Sequence, residues 1–353
     1  MSNWNSNFTT LLRNDRPVLW GNWALNQYIK PGAVGIIDAS TGNFTLVNES
    51  IPGAEIIESD MSSDWYIKSS NVTEKQSNVT LDGSATDPET GEKITTGLQV
   101  TWGFEDAGSL TSKFSTSKES SLKDFSTLIN NQMSWLEKQA ASVNMQTSAG
   151  ISQGFCVVTD VIYAHSGLNV GANTHSSNFS IEGSVSGINA MLGDSASANG
   201  SYVSSSESDS MDEHIWPSTA NTLPTNDIPI AFAVASFDGT FIIPNWTHLL
   251  SSFELILDNT HGGTYIAHGE LTYDVNGTQH SRKNSASGGM KSTIGDIPID
   301  ALNLVYHVSF TSNKTKKTFS WGSPVNQWLS GERHIDIKGV WPGTPSATDR
   351  EAS

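Results

Sequence analysis

The stretch Gly154-Phe155-Cys156-Val157-Val158-Thr159-Asp160-Val161-Ile162-Tyr163 decides the fold. Its apolar residues fall at both parities, so a strand here buries both faces and belongs in the interior of its sheet. A second apolar run, Ile228-Pro229-Ile230-Ala231-Phe232-Ala233-Val234, continues to Phe237 and stops at Asp238-Gly239. The first defines the centre of an N-terminal part, and the second closes it. Cys156, the chain's one cysteine, lies inside the first run, so it reads as a buried, inert thiol.

Working outward, residues 76–105 read as a hairpin. In its first arm Val79, Leu81, Gly83 and Ala85 alternate with polar residues; Asp87 to Glu92 supply the turn. Leu98, Val100, Trp102 and Phe104 alternate in the second arm. On the other side, 176–204 reads as a second hairpin. Phe179, Ile181, Gly183 and Val185 form the apolar set of its first arm, and Ala196, Ala198 and Tyr202 that of its return arm. Period-two alternation gives each hairpin one apolar and one polar face. Each arm runs about 10–12 residues, the length a tilted strand needs to cross hydrocarbon. Such a face can pack on a protein core. In a closed ring of subunits it can also meet lipid, because only closure pairs every backbone group.

Between the hairpins, Leu122, Phe125, Leu128, Ile129, Met133, Leu136 and Ala140 recur at three- and four-residue steps, which predicts one helix laid on a sheet. Residues 1–30 hold a short amphipathic piece with Phe8, Leu11, Leu12, Trp20 and Trp23. Two short strands are expected in 33–58, around Ala39-Ser40-Thr41-Gly42. From 240 onward short strands alternate with glycine-rich turns; 253–257, 264–273, 302–311 and 334–340 are the candidates for a β-sandwich. The expected class is α+β. A twisted antiparallel sheet with helices and two long hairpins occupies 1–238, and a β-sandwich occupies 239–353.

A formal charge of −17 argues against a nucleic-acid partner. No Lys or Arg occurs between Lys138 and Arg282, a stretch with 13 Asp and Glu. Its acidic run Glu207, Asp209, Asp212, Glu213 reads as a solvated loop. No phosphate loop, HExxH or GxSxG is present, so neither an enzyme nor a cofactor or metal requirement is expected. His261 and His268 are seven apart, on opposite faces of any strand they share. The start Met1-Ser2-Asn3-Trp4-Asn5 lacks a basic segment followed by an apolar run. The expectation is a cytoplasmic protein, or one released without a signal peptide, that reaches a membrane when active.

The order of elements, with Gly154–Tyr163 before the second hairpin and Ile228–Val234 after it, resembles the pore-forming domain of gasdermins over residues 1–237. The resemblance implies a protein that oligomerises on a membrane and inserts both hairpins, with membrane lipid and further copies of itself as partners. Residues 239–353 would regulate or target it. Basic patches that meet lipid heads in that family have as counterparts here only Arg13, Arg16 and a few lysines up to Lys138, a departure from the family. The second part instead carries nine Lys and Arg after residue 281, Lys314, Lys316 and Lys317 among them, and is a candidate for meeting a membrane itself. Phe237 runs almost directly into the following region, unlike the cleavable linkers of the family. Two other readings stand beside it. An aerolysin-like toxin would insert one hairpin. A lectin-like protein would bind a glycan on aromatic platforms drawn from Trp246, Trp321, Trp328 and Trp341, with Tyr265 and His268.

Overall fold

A computed structural model describes residues 3–61, 64–81, 93, 95–192, 204–206, 211–218, 226–261, 264–328 and 330–352. The chain is mostly β, with four α-helices among the described residues. It divides into two compact units, 1–247 and 248–353. The division falls nine residues beyond the expected 238, because the chain turns back after Gly239 and pairs once more with the first unit.

In the first unit, α1 (Trp4–Leu12) leads into β1 (Trp20–Gly21), β2 (Val34–Ile37), β3 (Phe44–Asn48), β4 (Ile56–Asp60) and β5 (Asp64–Lys68). Then come β6 (Val72–Thr80), β7 (Thr96–Phe104) and β8 (Leu110–Leu122), followed by α2 (Phe125–Asn131) and α3 (Met133–Ser142). The short β9 (Gln146–Thr147) and β10 (Gly150–Ile151) precede the long β11 (Phe155–Ala172). The unit closes with β12 (Ser177–Gly183), α4 (Val185–Leu192), β13 (Ser204–Ser206), β14 (Met211–Trp216), β15 (Ile228–Asp238) and β16 (Phe241–Ile243).

Strand β11 is the axis of a ten-stranded sheet, as its two-faced apolar sequence requires. One edge is taken by β2 and then β8, the other by β15 and then β14. β11 outruns the expected Tyr163 by nine residues, because its second half is polar enough to hide the pattern yet is buried between β8 and β14. The register with β8 slips around Ala164 and Ser166, next to Gly167 at φ +146°. There a Cβ would strike the Lys113 carbonyl and Phe114, so only glycine fits. Cys156 is fully buried in β11, and burial pushes its thiol far above the ordinary value.

The expected single helix is two. Leu122 ends β8, and the helical run breaks at Gln132 between α2 and α3. The apolar sides of the pair pack on Val34, Phe155, Val157, Ala235 and Phe237 of the main sheet. The acidic run is not wholly a loop. Asp212 and Glu213 lie in β14, where Asp212 accepts the indole N–H of Trp23 at 2.6 Å and sits 3.1 Å from His214. Glu207 and Asp209 lie outside the described residues.

The second unit contains β17 (Phe253–Asp258), β18 (Ala267–Val275), β19 (Thr278–Ala286), β20 (Lys291–Ile297), β21 (Leu302–Phe310), β22 (Asn313–Trp321), β23 (Glu332–Lys338) and β24 (Ser346–Asp349). They form two four-stranded sheets, ordered β20-β17-β23-β24 and β19-β18-β21-β22. Trp328 bridges the layers, meeting Phe253 of β17 and Trp321 of β22 edge-on at 5.7 and 5.2 Å. Four of these strands go beyond the sequence expectation: β19, β20, β22 and β24. β19 and β22 are edge strands with mostly exposed residues on both faces, so alternation is absent.

Candidate functional site

The two expected hairpins meet in one four-stranded sheet, ordered β13-β12-β7-β6. Its centre is the antiparallel pair β7–β12, in which Phe179 faces Trp102 and Ile181 faces Val100. Trp102 and Phe179 stack with centroids 5.9 Å apart. Together with Phe104 and Val72 they bury one face of the sheet against Leu168, Val170 and Ala172 of β11 and Ile188, Met191 and Leu192 of α4. The opposite face carries Gln99, Thr101, Asn178, Ser180 and Glu182; Thr101 and Ser180 hydroxyls lie 2.8 Å apart. Sequence alternation therefore assigned both faces of β7 and β12 as they stand.

The first arm of the first hairpin departs from that expectation. Val79 pairs with Gly97, so it lies on the polar face with Gln99 and Thr101, not beside Val100 and Trp102. Residues across from Trp102, Val100 and Leu98 are Glu74, Gln76 and Asn78. A one-residue offset in register moves every side chain to the other face. β6 is thus polar on both faces apart from Val72 and Val79. Leu81, just past the strand, is buried, and Leu98 is half-buried. Ala85 lies outside the described residues.

The second hairpin also departs. β12 ends at Gly183, and Val185 opens α4, exposed to solvent. Ser184 caps that helix, its hydroxyl accepting the backbone N–H of Gly187 at 2.9 Å. Val185, Ile188, Met191 and Leu192 follow helical spacing, a signal legible in the sequence but masked by the flanking alternation. The return arm pairs again at β13, where Ser204 faces Glu182 and Ser206 faces Ser180. Ala196, Ala198 and Tyr202 lie outside the described residues.

A polar cluster fastens β6 to the main sheet. Glu74 receives the Lys113 ammonium of β8 at 3.2 Å and the Trp102 indole N–H at 3.2 Å, and it is hydrogen-bonded to the Tyr66 hydroxyl of β5. Lys113 also lies over the Tyr66 ring at 4.9 Å. Burial pushes the Glu74 carboxyl upward, but the Tyr66 hydrogen bond and the Lys113 charge outweigh it, and the group titrates below its ordinary value. Tyr66 is held well above its ordinary range by burial and by Glu74.

The other candidate residues scatter. Arg13 lies 4.1 Å over the Trp20 ring and donates to the carbonyls of Leu19 and Thr247; burial lowers its pKa to about 10. Arg16 lies over Trp65 at 4.9 Å. Both cations are thus engaged within their own unit. Lys314, Lys316 and Lys317 are exposed on β22. Of the four tryptophans, Trp246, Trp321 and Trp328 are buried, Trp246 stacking on Trp20 in the first unit. Trp341 is exposed. Tyr265 is buried, and His268 bonds to Thr311 at 2.7 Å. Among the described residues, no three His, Cys, Asp or Glu side chains gather as a metal site. No helix among them is long and apolar enough to cross a membrane.

No family model and no curated protein matches the chain. One solved structure, described as "Crystal Structure of Gram Negative Toxin", aligns with 94% of this chain and 86% of its own, at 11% identity and a TM-score of 0.23. A superposition that loose carries no functional weight.

Proposed function

We propose that this chain perforates membranes by inserting one ribbon, the segment from β12 through α4 to β13. The observation that carries this reading is the amphipathic β12, with Phe179 and Ile181 on its apolar side and Asn178, Ser180 and Glu182 on the other. Past α4, Ser195, Ser197, Asn199 and Ser201 alternate with Ala196, Ala198 and Tyr202, which extends the same pattern into the return arm. In a ring of subunits the apolar side meets lipid and the polar side meets water.

The composition of β6 favours one inserting ribbon over two inserting hairpins. Moving it into hydrocarbon would carry Glu74, Gln76 and Asn78 on the side it shares with Trp102, each at a cost of kilocalories near the midplane. Its ion pair with Lys113 also holds it to the main sheet. The single-ribbon, aerolysin-like arrangement therefore fits better than the two-hairpin arrangement of gasdermins.

Dye release from liposomes tests this. The intact chain releases the dye, deletion of residues 185–203 abolishes release, and replacement of 82–94 by a short glycine turn leaves release within about twofold. Release lost on replacing 82–94 but retained in full after deleting 185–203 sinks the assignment, and no release by the intact chain sinks the function.

Binding of a glycan is the second reading, and one observation favours it. A groove of about 620 Å³ runs beside the stacked rings of Phe319 and Trp321 and is edged by Lys317, Gln327 and Thr348. Flat rings beside amide and hydroxyl groups suit a sugar face. A glycan-array signal that disappears in Phe319→Ala, without any dye release, would favour it over perforation.

A further inference from the structure

We infer that one end of the second unit is a docking face for an anionic lipid bilayer. This rests on the membrane-acting reading above, but not on which ribbon inserts. Four loop segments converge at that end: 259–261 with 264–266, 287–290, 311–312 and 339–345. Hydrogen bonds tie them together: Asn259 N–H to the Met290 carbonyl at 3.0 Å, Thr264 N–H to Gly339 at 3.3 Å, Thr311 N–H to Ile266 at 3.0 Å, and Trp341 N–H to the Thr264 hydroxyl at 2.8 Å.

Each of three of these loops lifts large apolar side chains into solvent. Ile266 is 40% exposed, Met290 62%, Val340 60% and Trp341 62%. Scattered exposed apolar residues mean little, but a cluster at one end of a domain marks an interaction surface. Trp341 meets the Tyr265 ring edge-on at 6.1 Å. An exposed indole, with an apolar body and a polar N–H, is suited to the headgroup level of a bilayer.

Charge identifies the occupant. No Asp or Glu occurs in 259–269, 286–290, 307–318 or 337–348. The nearest carboxylates, Asp258 and Asp336, are held by Lys291 and Arg350. Lys314 and Lys316 of β22 and Lys338 at the end of β23 stand exposed beside these loops. The opposite end of the same sheets carries Glu254, Asp274, Asp296, Asp300 and Glu332. Over the whole unit nine Lys and Arg nearly balance ten Asp and Glu, whereas the rest of the chain sets ten against 26. An otherwise acidic protein therefore has one apolar end whose loops carry no carboxylate and whose adjoining strands carry exposed lysines, the pattern that attracts acidic headgroups and lets apolar tips enter among them.

Flotation of the full chain with phosphatidylcholine vesicles, with and without phosphatidylserine, tests this. The chain floats with the serine-lipid vesicles. Val340→Ser with Trp341→Ser weakens that binding about tenfold or more, since each apolar group removed forfeits its burial. Lys314→Glu with Lys316→Glu and Lys338→Glu weakens it and flattens its salt dependence. All five positions are exposed, so an unchanged thermal transition checks that the variants fold. Equal flotation of wild type and both variants overturns the docking face and leaves the perforating ribbon standing. Dye release from neutral vesicles without flotation on anionic ones does the same. Flotation lost in the variants, with no dye release by any form, upholds the docking face and sinks the ribbon.

Discussion

Glu74→Ala lowers the stability of the first unit by about 3–5 kcal/mol, because it strands a buried cation. Lys113 and Glu74 side chains are 11% and 15% exposed, and they lie 3.2 Å apart. Removing the carboxylate leaves the ammonium over the Tyr66 ring without its counter-charge, and leaves the Trp102 indole N–H without an acceptor. Chemical denaturation measures the loss, and amide exchange locates it in β6 and β7. Glu74→Gln keeps an acceptor for Trp102 and separates the charge from the hydrogen bond. A loss under about 1 kcal/mol, the range of exposed pairs, would show that the pair is solvent-screened and holds nothing.

The same pair gives a pH dependence of definite sign. Glu74 titrates below its ordinary 4.5 in the folded chain, so the unfolded state binds the proton more readily. Its contribution is complete above pH 4.5 and is lost as pH falls through the lowered value. The protection of β6 amides, corrected for the intrinsic slowing of exchange in acid, falls over that range, and Glu74→Gln removes the fall. Corrected protection that instead rises on acidification would contradict the charge assignment.

Trp102→Ala has the other large effect, about 3–5 kcal/mol by the usual cost of emptying a buried tryptophan site. Trp102 is fully buried between Phe179 of β12 and the β11 wall of Leu168 and Val170, and its N–H reaches Glu74. The substitution opens a cavity at the junction of the sheet with its support. Trp102→Phe keeps most of the apolar contact and forfeits the hydrogen bond, at roughly a third of that loss. Urea titration of both variants decides it; equal costs for Ala and Phe would mean that the hydrogen bond, not the packing, dominates.

Strands buried on two faces were the most legible part of the chain. β15 and the first half of β11 announce themselves because hardly a polar side chain interrupts them, and β7 and β12 because strict alternation matches a half-buried sheet. The register of β6 was not legible. Alternation shows that Val79 and Thr80 face opposite ways, but only the pairing of Val72 with Phe104 fixes which way. α4 was hidden because its eight residues sit between Ser-rich alternating stretches, although Ser184 and the spacing of Ile188, Met191 and Leu192 mark it. β19 and β22 went unread because an edge strand such as Asn313–Trp321, with Lys314, Lys316 and Lys317 exposed, has no buried face to impose a pattern. The docking end was illegible for a different reason. Ile266, Met290 and Trp341 are far apart in sequence, and only the strand ends bring their loops together.

Cys156 has a practical corollary. Its sulfur lies 3.6 Å from the Gly35 carbonyl oxygen in a site with no solvent access, and deprotonation there is strongly disfavoured. Thiol-directed dyes and spin labels will pass the native molecule by. A cysteine introduced at Ser197 or Trp341 would then be the sole reactive handle, giving a background-free fluorescent or magnetic reporter on the wild-type scaffold.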